Sequence, residues 1–419
     1  MALLCSRRFL LWAISITMLV AIATAIASLT LTGAFSKSID DPIPQQVNRD
    51  PEGYTLEHVT ILHRHGLRAP AQLSNWSTAD DYPMGIGFLT KKGKQGSAFV
   101  GRVFRRFYRD FLTYSPHEVW ARSSTYKRCF ETEHILLGTM YPPHGDWDFG
   151  FPVQPIAIIM VPQGNDVLIE SCKAEVLPDF KHIHDETDEA LVKDGFASAG
   201  DFMAWISEVS GYSSNNSSFY EPIIDALYAQ KYNELPIPKW AESKWSSMDW
   251  AMRRLSYDYW INFIPYYGQY MGKTIAERMT AAANKSINER LSIMSYHDTT
   301  IQALMSALQL EYVRLYPSFL GALHFQLYKR KSDGERFVRT MYHQGFTTEG
   351  EYRKADELKL PDCSFPDCPV GKFVELIGVN VRVSRGRSGY GDQNDLKKDS
   401  LRTELRHACL VMKNVPMPH

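Results

Sequence analysis

The sequence contains 419 residues, of which 44% are hydrophobic and 22% are charged, and its formal net charge is -1. This length suffices for one large domain or for a core domain with a smaller insert, and the composition is that of an ordinary globular protein with a substantial core. A net charge so close to zero gives no indication of a nucleic-acid partner or of a role at a membrane surface.

The N-terminal segment is apolar and follows two positive charges. Arg7 and Arg8 precede an uncharged stretch, from Phe9 to Ser36, that is rich in Leu, Ile, Val and Ala. This order is typical of a secretory signal, and the Ala-x-Ala triplets that end at Ala23 and Ala27 are candidates for the residues before a cleavage site. The stretch also exceeds the roughly 20 residues that span a bilayer, so it is long enough to remain as a signal anchor. We therefore predict a signal peptide or a signal anchor over the first 36 residues. Both place the remainder in the secretory pathway, as a secreted, lysosomal or lumenal protein or as a type II membrane protein.

Cysteines and glycosylation sequons fit that compartment. The cysteines after the N-terminal segment are Cys129, Cys172, Cys363, Cys368 and Cys409. Their odd number allows at most two disulfides and one free thiol, and the two at 363 and 368 could close a tight loop. Four Asn-x-Ser/Thr sequons predict N-glycosylation, and they begin at Asn75, Asn215, Asn216 and Asn284. Such sites are glycosylated only in a chain that enters the secretory pathway.

The first half of the chain alternates short apolar runs with helical patterns. A polar, proline-containing stretch over residues 37–52 reads as a linker. The run from Tyr54 to Leu62 predicts a buried strand that ends at a His-Arg-His-Gly turn. Apolar residues recur every four positions between Gly87 and Leu112, which predicts a helix. A second short strand, Val119 to Ala121, ends at Arg122.

The middle of the chain differs from the parts on either side. Residues 185–285 are rich in Trp, Tyr and Met and carry helix-like apolar spacing over Leu191–Val209, Met248–Tyr267 and Ile275–Ala283. We predict an α-helical cap inserted into an α/β core that comprises residues 53–184 and 286–419.

The core pattern resumes after the predicted cap. The run from Leu291 to Ser295 predicts a strand, and a helical pattern follows it. The segments His324–Arg330 and Phe337–His343 flank Ser-Asp-Gly and predict a β-hairpin. The predicted fold is therefore an α/β sheet with crossover helices.

Polar side chains follow three of the predicted strands. Arg64 and His65 come after the first, Arg122 after the second, and His297 with Asp298 after the strand that begins at Leu291. Because ligands of open α/β sheets bind beyond the carboxyl ends of the strands, we expect these side chains to converge on one crevice.

These residue types match what cleavage of a phosphate monoester requires. Arginines bind the charged phosphoryl oxygens, a neutral imidazole attacks the phosphorus, and an acid protonates the departing alkoxide. The segment from Arg64 to Pro70, Arg-His-Gly-Leu-Arg-Ala-Pro, holds a nucleophile and two arginines within one turn. Gly66 would allow close backbone approach to the phosphate, and Pro70 would fix the exit of the turn.

Together with Ser-Tyr-His-Asp-Thr-Thr at residues 295–300, this segment resembles the histidine acid phosphatases, and among them the prostatic and lysosomal acid phosphatase branch. The resemblance runs from about Thr55 to Cys409. It implies a phosphoglycerate-mutase-like sheet core with a smaller helical cap domain, an acidic optimum, and no metal or other cofactor. It further implies small-molecule phosphomonoester substrates and no nucleic-acid partner. A homodimer is an open alternative to a monomer, and the protein would associate with a membrane only if the N-terminal segment is retained.

The resemblance also implies individual roles. His65 would be the phosphorylated nucleophile and Asp298 the proton donor. Residues that would hold the phosphate are Arg64, Arg68, Arg122 and His297. The implied disulfides are Cys172 with Cys409 and Cys363 with Cys368. Three features depart from the family pattern. Leu67 stands where Asp is frequent, which affects the expected leaving-group preference. The stretch after Arg122, usually Ser-Thr-Asp-x-x-Arg, keeps its second arginine at Arg128 but lacks the acid. Cys129 has no evident partner.

Three alternatives remain at this point. A relative with a narrower substrate, such as an inositol phosphate, a phosphorylated sugar or a lysophospholipid, would carry the same motifs. A metal hydrolase could use His63, His65 and His297 with Asp298 as ligands. A catalytically inactive binding protein is the third, although every position that the mechanism needs holds a competent residue.

Overall fold

The computed structural model describes residues 46–162, 166, 180–213, 220–261, 264–308, 310, 316–348, 350–360 and 363–383. The predicted signal segment lies outside these residues, and so does most of the predicted linker. Within the described ranges, no helix combines the length and apolarity needed to cross a bilayer.

A seven-stranded mixed sheet forms the centre of the fold, in the order β3-β2-β4-β1-β5-β6-β7. Strands β1 to β4 pair in parallel, whereas β5 to β7 pair antiparallel along one side. The strands are β1 (Tyr54–Arg64), β2 (Val119–Ser123), β3 (Ile158–Met160), β4 (Leu291–Tyr296), β5 (Ala322–Arg330), β6 (Arg336–His343) and β7 (Ala355–Leu358).

The described ranges also contain ten α-helical segments. They are α1 (Lys91–Phe107), α2 (Lys127–Met140), α3 (Glu189–Lys193), α4 (Ala199–Ser210), α5 (Ala226–Tyr232), α6 (Lys239–Glu242), α7 (Trp245–Ile261), α8 (Ile264–Ala283), α9 (Asp298–Ala307) and α10 (Val370–Val383). A π-helical turn, Tyr220–Asp225, leads directly into α5.

Both faces of the sheet are covered by apolar side chains, as the period-two alternation of the strands requires. In β1, Val59 and Ile61 pack into the hydrophobic cluster on the side of α1 and α2. Leu62 packs into a second cluster that includes side chains of α8, α9 and α10. This layered arrangement confirms the predicted α/β class.

Several predicted elements have different limits in the structure. The helix predicted from Gly87 starts at Lys91, because Thr90 caps it by accepting a hydrogen bond from the Gly93 amide at 3.2 Å. The helical pattern of Leu191–Val209 is divided into α3 and α4, and Gly195, between them, has a φ of +90°. The predicted hairpin is present as β5 and β6.

The division into core and cap stays a prediction, although part of the predicted cap contacts the sheet. In α8, Met271, Ile275 and Met279 belong to the cluster that covers one sheet face. Residues 46–52 also contact the core: Asn48 donates to the Tyr328 hydroxyl at 2.9 Å, and its amide donates to the Phe107 carbonyl at 2.8 Å.

Several buried histidines make stability depend on pH. Burial lowers the pKa of His58 to about 4 and that of His343 to about 3. Because the ordinary histidine pKa is about 6.5, the unfolded chain takes up protons below that pH while the folded protein does not. The stability is therefore complete above about pH 6.5 and declines as the pH falls towards 4.

We predict that the free energy of unfolding, measured by urea denaturation, falls between pH 7 and pH 4.5 by about 2 to 3 kcal/mol for each of these histidines. His58→Gln should flatten the slope by about 1.4 kcal/mol per pH unit. His117→Gln is the control, because His117 is exposed. Equal stability at the two pH values would contradict the prediction.

Candidate active site

The parallel strands β1, β2 and β4 end at the same level in the sheet, which brings the residues at their carboxyl ends close together. Arg64 pairs with Tyr296 in the β1–β4 register, and Ser123 pairs with Ser295 in the β2–β4 register. Beyond the strands, the His65 amide donates to the Tyr296 carbonyl at 3.0 Å. The ends of β1, β2 and β4, which carry or precede the predicted site residues, are consequently neighbours at one end of the sheet.

The turn after β1 packs tightly on α2 and on the start of α1. On the α2 side, the Gly66 amide donates to the Thr132 hydroxyl at 2.9 Å. A Cβ atom at Gly66 would lie 2.8 Å from Ser97 Oγ, and a Cβ atom at Gly93 would lie 1.9 Å from the Leu67 carbonyl oxygen. Both glycines are therefore needed for close approach between the turn and the helix.

His65 is a buried, neutral imidazole with a defined tautomer. Its Nδ1 lies 2.8 Å from the Gly66 carbonyl oxygen, which can only accept, so Nδ1 carries the proton and Nε2 keeps its lone pair. Burial lowers the pKa of His65 well below 6.5, and the nearby cations Arg128, Arg64 and Arg68 lower it further. The unprotonated nitrogen is the form that can act as a nucleophile.

Arg64 is fully buried and is oriented by several partners. It forms an ion pair with Asp298 at 2.9 Å, donates to the Pro317 carbonyl at 2.8 Å, and donates to the Tyr316 hydroxyl at 2.6 Å. Its guanidinium lies over the Phe319 ring, 3.9 Å from the centroid. The orientation of this guanidinium is thus set by both charge and stacking.

The other two predicted arginines are each paired with a buried aspartate. Arg68 forms two hydrogen bonds with Asp225, at 2.8 and 3.0 Å. Arg122 donates to Asp166 at 2.9 Å, and the Tyr296 hydroxyl donates to the other oxygen of that carboxylate at 3.1 Å. A buried guanidinium without such a partner would be strongly destabilising.

His297 lies beside His65, with the ring centroids 5.6 Å apart. Arg128 NH2 lies 3.3 Å from His297 Nδ1, and Ser124 Oγ lies 3.1 Å from Nε2. Because arginine can only donate, Nδ1 is the acceptor and Nε2 carries the proton towards Ser124 in the neutral ring.

Asp298 begins α9 and is an ionised carboxylate in this arrangement. Burial acts to raise the pKa of Asp298, but Arg64, the hydrogen bond from Tyr316 and Arg68 outweigh it, so that the pKa is lowered. The Thr299 amide also donates to this carboxylate, at 2.9 Å.

Sequence reasoning missed three residues of this network: Asp166, Asp225 and Tyr316. None belongs to a local motif, and each reaches an arginine that is more than forty positions away in the chain. The signal that could have found the two aspartates is the general need of a buried arginine for a counter-charge.

Leu67 and Cys129, two of the departures from the family pattern, are both buried. Leu67 belongs to the hydrophobic cluster on the α1 side. The Cys129 thiol lies 3.6 Å from His297 Nε2, and burial raises its pKa to about 12. The effect of Leu67 on leaving-group preference stays a prediction.

His63, proposed as a ligand in the metal alternative, has both ring nitrogens occupied. Its Nε2 lies 2.5 Å from Glu133 Oε2, and its Nδ1 lies 3.1 Å from the Arg64 carbonyl oxygen. Among the residues that the structure describes, no group of three or more His, Cys, Asp or Glu side chains is arranged to hold a metal.

The predicted covalent features are partly visible. Cys363 and Cys368 form a disulfide, whereas Cys172 and Cys409 lie outside the described residues. Asn75 and Asn284 are exposed, and Asn215 and Asn216 are not described. Glycosylation at all four stays a prediction.

We predict that Gly93→Ala displaces the turn that carries His65 and Arg68. Backbone atoms must move by more than about 1 Å to admit the new Cβ, because the core is close-packed. The melting temperature should fall by about 4 °C or more, and affinity for inorganic phosphate, measured by calorimetry, should fall about tenfold or more. Gly371→Ala is the matched control, since a Cβ there has no neighbour within 4 Å. Unchanged phosphate affinity in Gly93→Ala would contradict this role of the glycine.

Comparison with known proteins identifies the family. Residues 55–343 match the family model of the histidine phosphatase superfamily, branch 2. The chain is 27% identical over 349 residues to prostatic acid phosphatase of Bos taurus, covering 77% of this chain and 84% of the relative. It is 28% identical over 343 residues to lysosomal acid phosphatase of Bos taurus, covering 77% of each chain.

The structure is similar to that of Hafnia alvei phytase in complex with tartrate, with a TM-score of 0.58 and 18% identity, covering 80% of this chain and 99% of that one. This last likeness concerns the fold alone. The family match spans most of the chain and includes the strand ends at which His65, Arg122 and His297 lie. The protein therefore belongs to branch 2 of the histidine phosphatase superfamily.

Proposed function

We propose that this enzyme is an acid phosphatase that hydrolyses phosphate monoesters through a phosphohistidine intermediate. The observation that carries the proposal is His65, an imidazole with a protonated Nδ1 and an unprotonated Nε2, enclosed by Arg64, Arg68 and Arg128. A neutral nucleophile among fixed cations is what attack on a phosphate anion requires.

In the first half-reaction, the arginines and His297 would bind the non-bridging oxygens of the phosphoryl group. His65 Nε2 forms a bond to phosphorus while the bond to the ester oxygen breaks. Asp298, once protonated, gives its proton to the departing alkoxide. Donors that are already oriented by Asp225, Asp166 and Pro317 need little rearrangement as charge develops.

In the second half-reaction, water attacks the phosphohistidine. The Asp298 carboxylate takes a proton from that water as the bond between phosphorus and nitrogen breaks, which releases inorganic phosphate and restores the neutral imidazole. The same aspartate thus acts as acid and then as base.

We predict that His65→Ala abolishes hydrolysis and incorporation of labelled phosphate from a ³²P-labelled ester, because the variant lacks the attacking nitrogen. The measurement is the acid-labile label trapped on rapidly quenched protein. His134→Ala, an exposed position on α2, should retain both activities. Full activity in His65→Ala would disprove the assignment of the nucleophile.

Asp298→Asn should slow the hydrolysis of alkyl phosphates far more than that of aryl phosphates, since an aryl oxide departs without much help from an acid. The expected loss of kcat/KM, which reports phosphoryl transfer to His65 and not the later hydrolysis step, is about 100-fold or more for an alkyl ester. The comparison uses one alkyl and one aryl phosphate at the same pH. An equal loss for both esters would count against Asp298 as the acid.

The rate should be highest at acidic pH. The lowered pKa of Asp298 confines its protonated form to acid solution, whereas the lowered pKa of His65 keeps the nucleophile neutral there. We expect kcat/KM for an alkyl phosphate to fall about tenfold per pH unit along the alkaline limb, and Asp298→Asn to remove that limb. A wild-type rate that rises steadily towards pH 8 would contradict these roles.

We further propose that the protein acts in the secretory pathway, as a secreted, lysosomal or lumenal enzyme. The apolar N-terminal segment, the disulfide between Cys363 and Cys368, and exposed sequons at Asn75 and Asn284 support this proposal. Sensitivity of the purified protein to glycosidase tests entry into the secretory pathway. Sequencing of its mature N-terminus distinguishes cleavage of the apolar segment from its retention as an anchor.

A narrower substrate range is the competing proposal within the same chemistry. A panel containing an inositol phosphate, a phosphorylated sugar, a lysophospholipid and simple aryl esters, compared by kcat/KM, separates the two. A broad acid phosphatase hydrolyses them within about tenfold of one another, whereas a specialised enzyme favours one class by two or more orders of magnitude.

A further inference from the structure

Tyr316 joins the two groups on which the proposed chemistry depends. Its hydroxyl accepts a hydrogen bond from Arg64 at 2.6 Å and donates one to Asp298 Oδ2. Arg64 and Asp298 also contact each other, with 2.9 Å between NH2 and Oδ2. Arginine, phenol and carboxylate therefore form a closed triangle at the end of the sheet.

The surroundings of Tyr316 hold its ring in place. The Arg64 guanidinium lies 4.7 Å from the ring centroid, and Tyr228 packs against it edge-on, with 5.9 Å between centroids. The ring also forms part of the wall of a cleft of about 590 Å³ that Tyr232 and Trp245 help to line. A ring fixed on several sides directs its hydroxyl to one position.

We propose that Tyr316 is a positioning residue for proton transfer, whose hydroxyl holds the Asp298 carboxyl group in place when a phosphate ester takes over the hydrogen bonds of Arg64. The inference rests on the proposed function and adds to it a residue outside the two sequence motifs.

The chemistry of a phenol suits this task. A phosphate that binds Arg64 competes with Asp298 for the guanidinium, so the carboxyl group loses its ionic partner at the moment when it must be aligned with the leaving oxygen. A hydroxyl can donate to the carboxylate and accept from the carboxylic acid, so it can remain a partner in both protonation states. An arginine can only donate and so cannot accept from the protonated form.

Other charged and titratable groups face the same carboxyl group and must be distinguished from Tyr316. They include Arg64 at the end of β1, Arg68 in the following turn, Arg128 and Cys129 on α2, and Tyr220 on the π-helical turn. His297 precedes Asp298 in the chain, and Asp225 interacts with Tyr316 itself. All of them remain in Tyr316→Phe. A change in the titration of Asp298 in that variant is therefore attributable to the missing hydroxyl.

The test compares Tyr316→Phe with Tyr232→Phe. Tyr232 is the matched control, because it lines the same cleft and its hydroxyl lies 3.4 Å from both Ser318 Oγ and the Phe346 carbonyl oxygen. Each variant is assayed with an alkyl and an aryl phosphate from pH 3 to pH 8, and its melting temperature is recorded.

In Tyr316→Phe we expect the alkaline limb of kcat/KM to move upward by about one pH unit, because a donor that favours the ionised carboxyl group is lost. At the optimum, kcat/KM should fall about tenfold more for the alkyl than for the aryl ester. A profile that overlays that of the wild type, or an equal loss for both esters, overturns the inference.

A second variant, which retains the phenol hydroxyl but changes its acidity, tests the same role of Tyr316 if Tyr316→Phe does not fold. Replacement of Tyr316 by 3-fluorotyrosine retains the hydroxyl and strengthens it as a donor, so the alkaline limb should move to lower pH. No movement, or movement to higher pH, overturns the inference. Activity that survives in His65→Ala would instead overturn the proposed function, so the two failures are distinguishable.

Discussion

Buried positive charge is the constraint on which the site depends. The guanidinium groups of Arg64, Arg68 and Arg122 are almost fully excluded from solvent at one end of the sheet. An isolated buried charge is too costly to keep, so the fold must supply each group with a counter-charge. It does so with Asp298, Asp225 and Asp166, which come from three separate parts of the chain. The arginines are thereby oriented before any phosphate arrives.

The same charges determine the state of His65. An imidazole surrounded by guanidinium groups cannot hold an additional proton at low cost, and burial adds to this effect. The Gly66 carbonyl then decides which nitrogen keeps the single proton. Neutrality and tautomer thus have two different physical origins, one electrostatic and one local to the turn. A bound phosphate ester would bring negative charge into this cradle and compete with Asp298 for Arg64, which is why the phenol of Tyr316 matters to the proposed proton transfer.

Close packing places the cradle where the charges can meet. Strands β1, β2 and β4 end level with one another, since their parallel registers are in step. The turn after β1 then rests on α1 at a distance that only glycine allows at positions 66 and 93. Apolar layers on both faces of the sheet hold the strands in that register. The strands and apolar layers therefore fix the position of the site, whereas the paired arginines and aspartates supply its charge.

Local patterns in the sequence were sufficient for much of this description. Alternation and helical spacing predicted the α/β class, the hairpin of β5 and β6, and the polar residues at the ends of β1, β2 and β4. The limits of α1 and the break between α3 and α4 were harder to predict, because a cap at Thr90 and a left-handed residue at Gly195 decide them. The spacing of apolar residues carries no information about such single-residue effects.

The sequence by itself determined which chemistry is available: an imidazole, several guanidinium groups and a carboxyl group in short, recognisable segments. Only the tertiary structure decided how these groups are paired. Asp225 and Asp166 gain their roles from long-range contacts with Arg68 and Arg122, and Tyr316 gains its role from Arg64 and Asp298. Partners so far apart in the chain leave no spacing pattern, because the energy of a buried ion pair depends on distance and burial in space and not on separation in sequence.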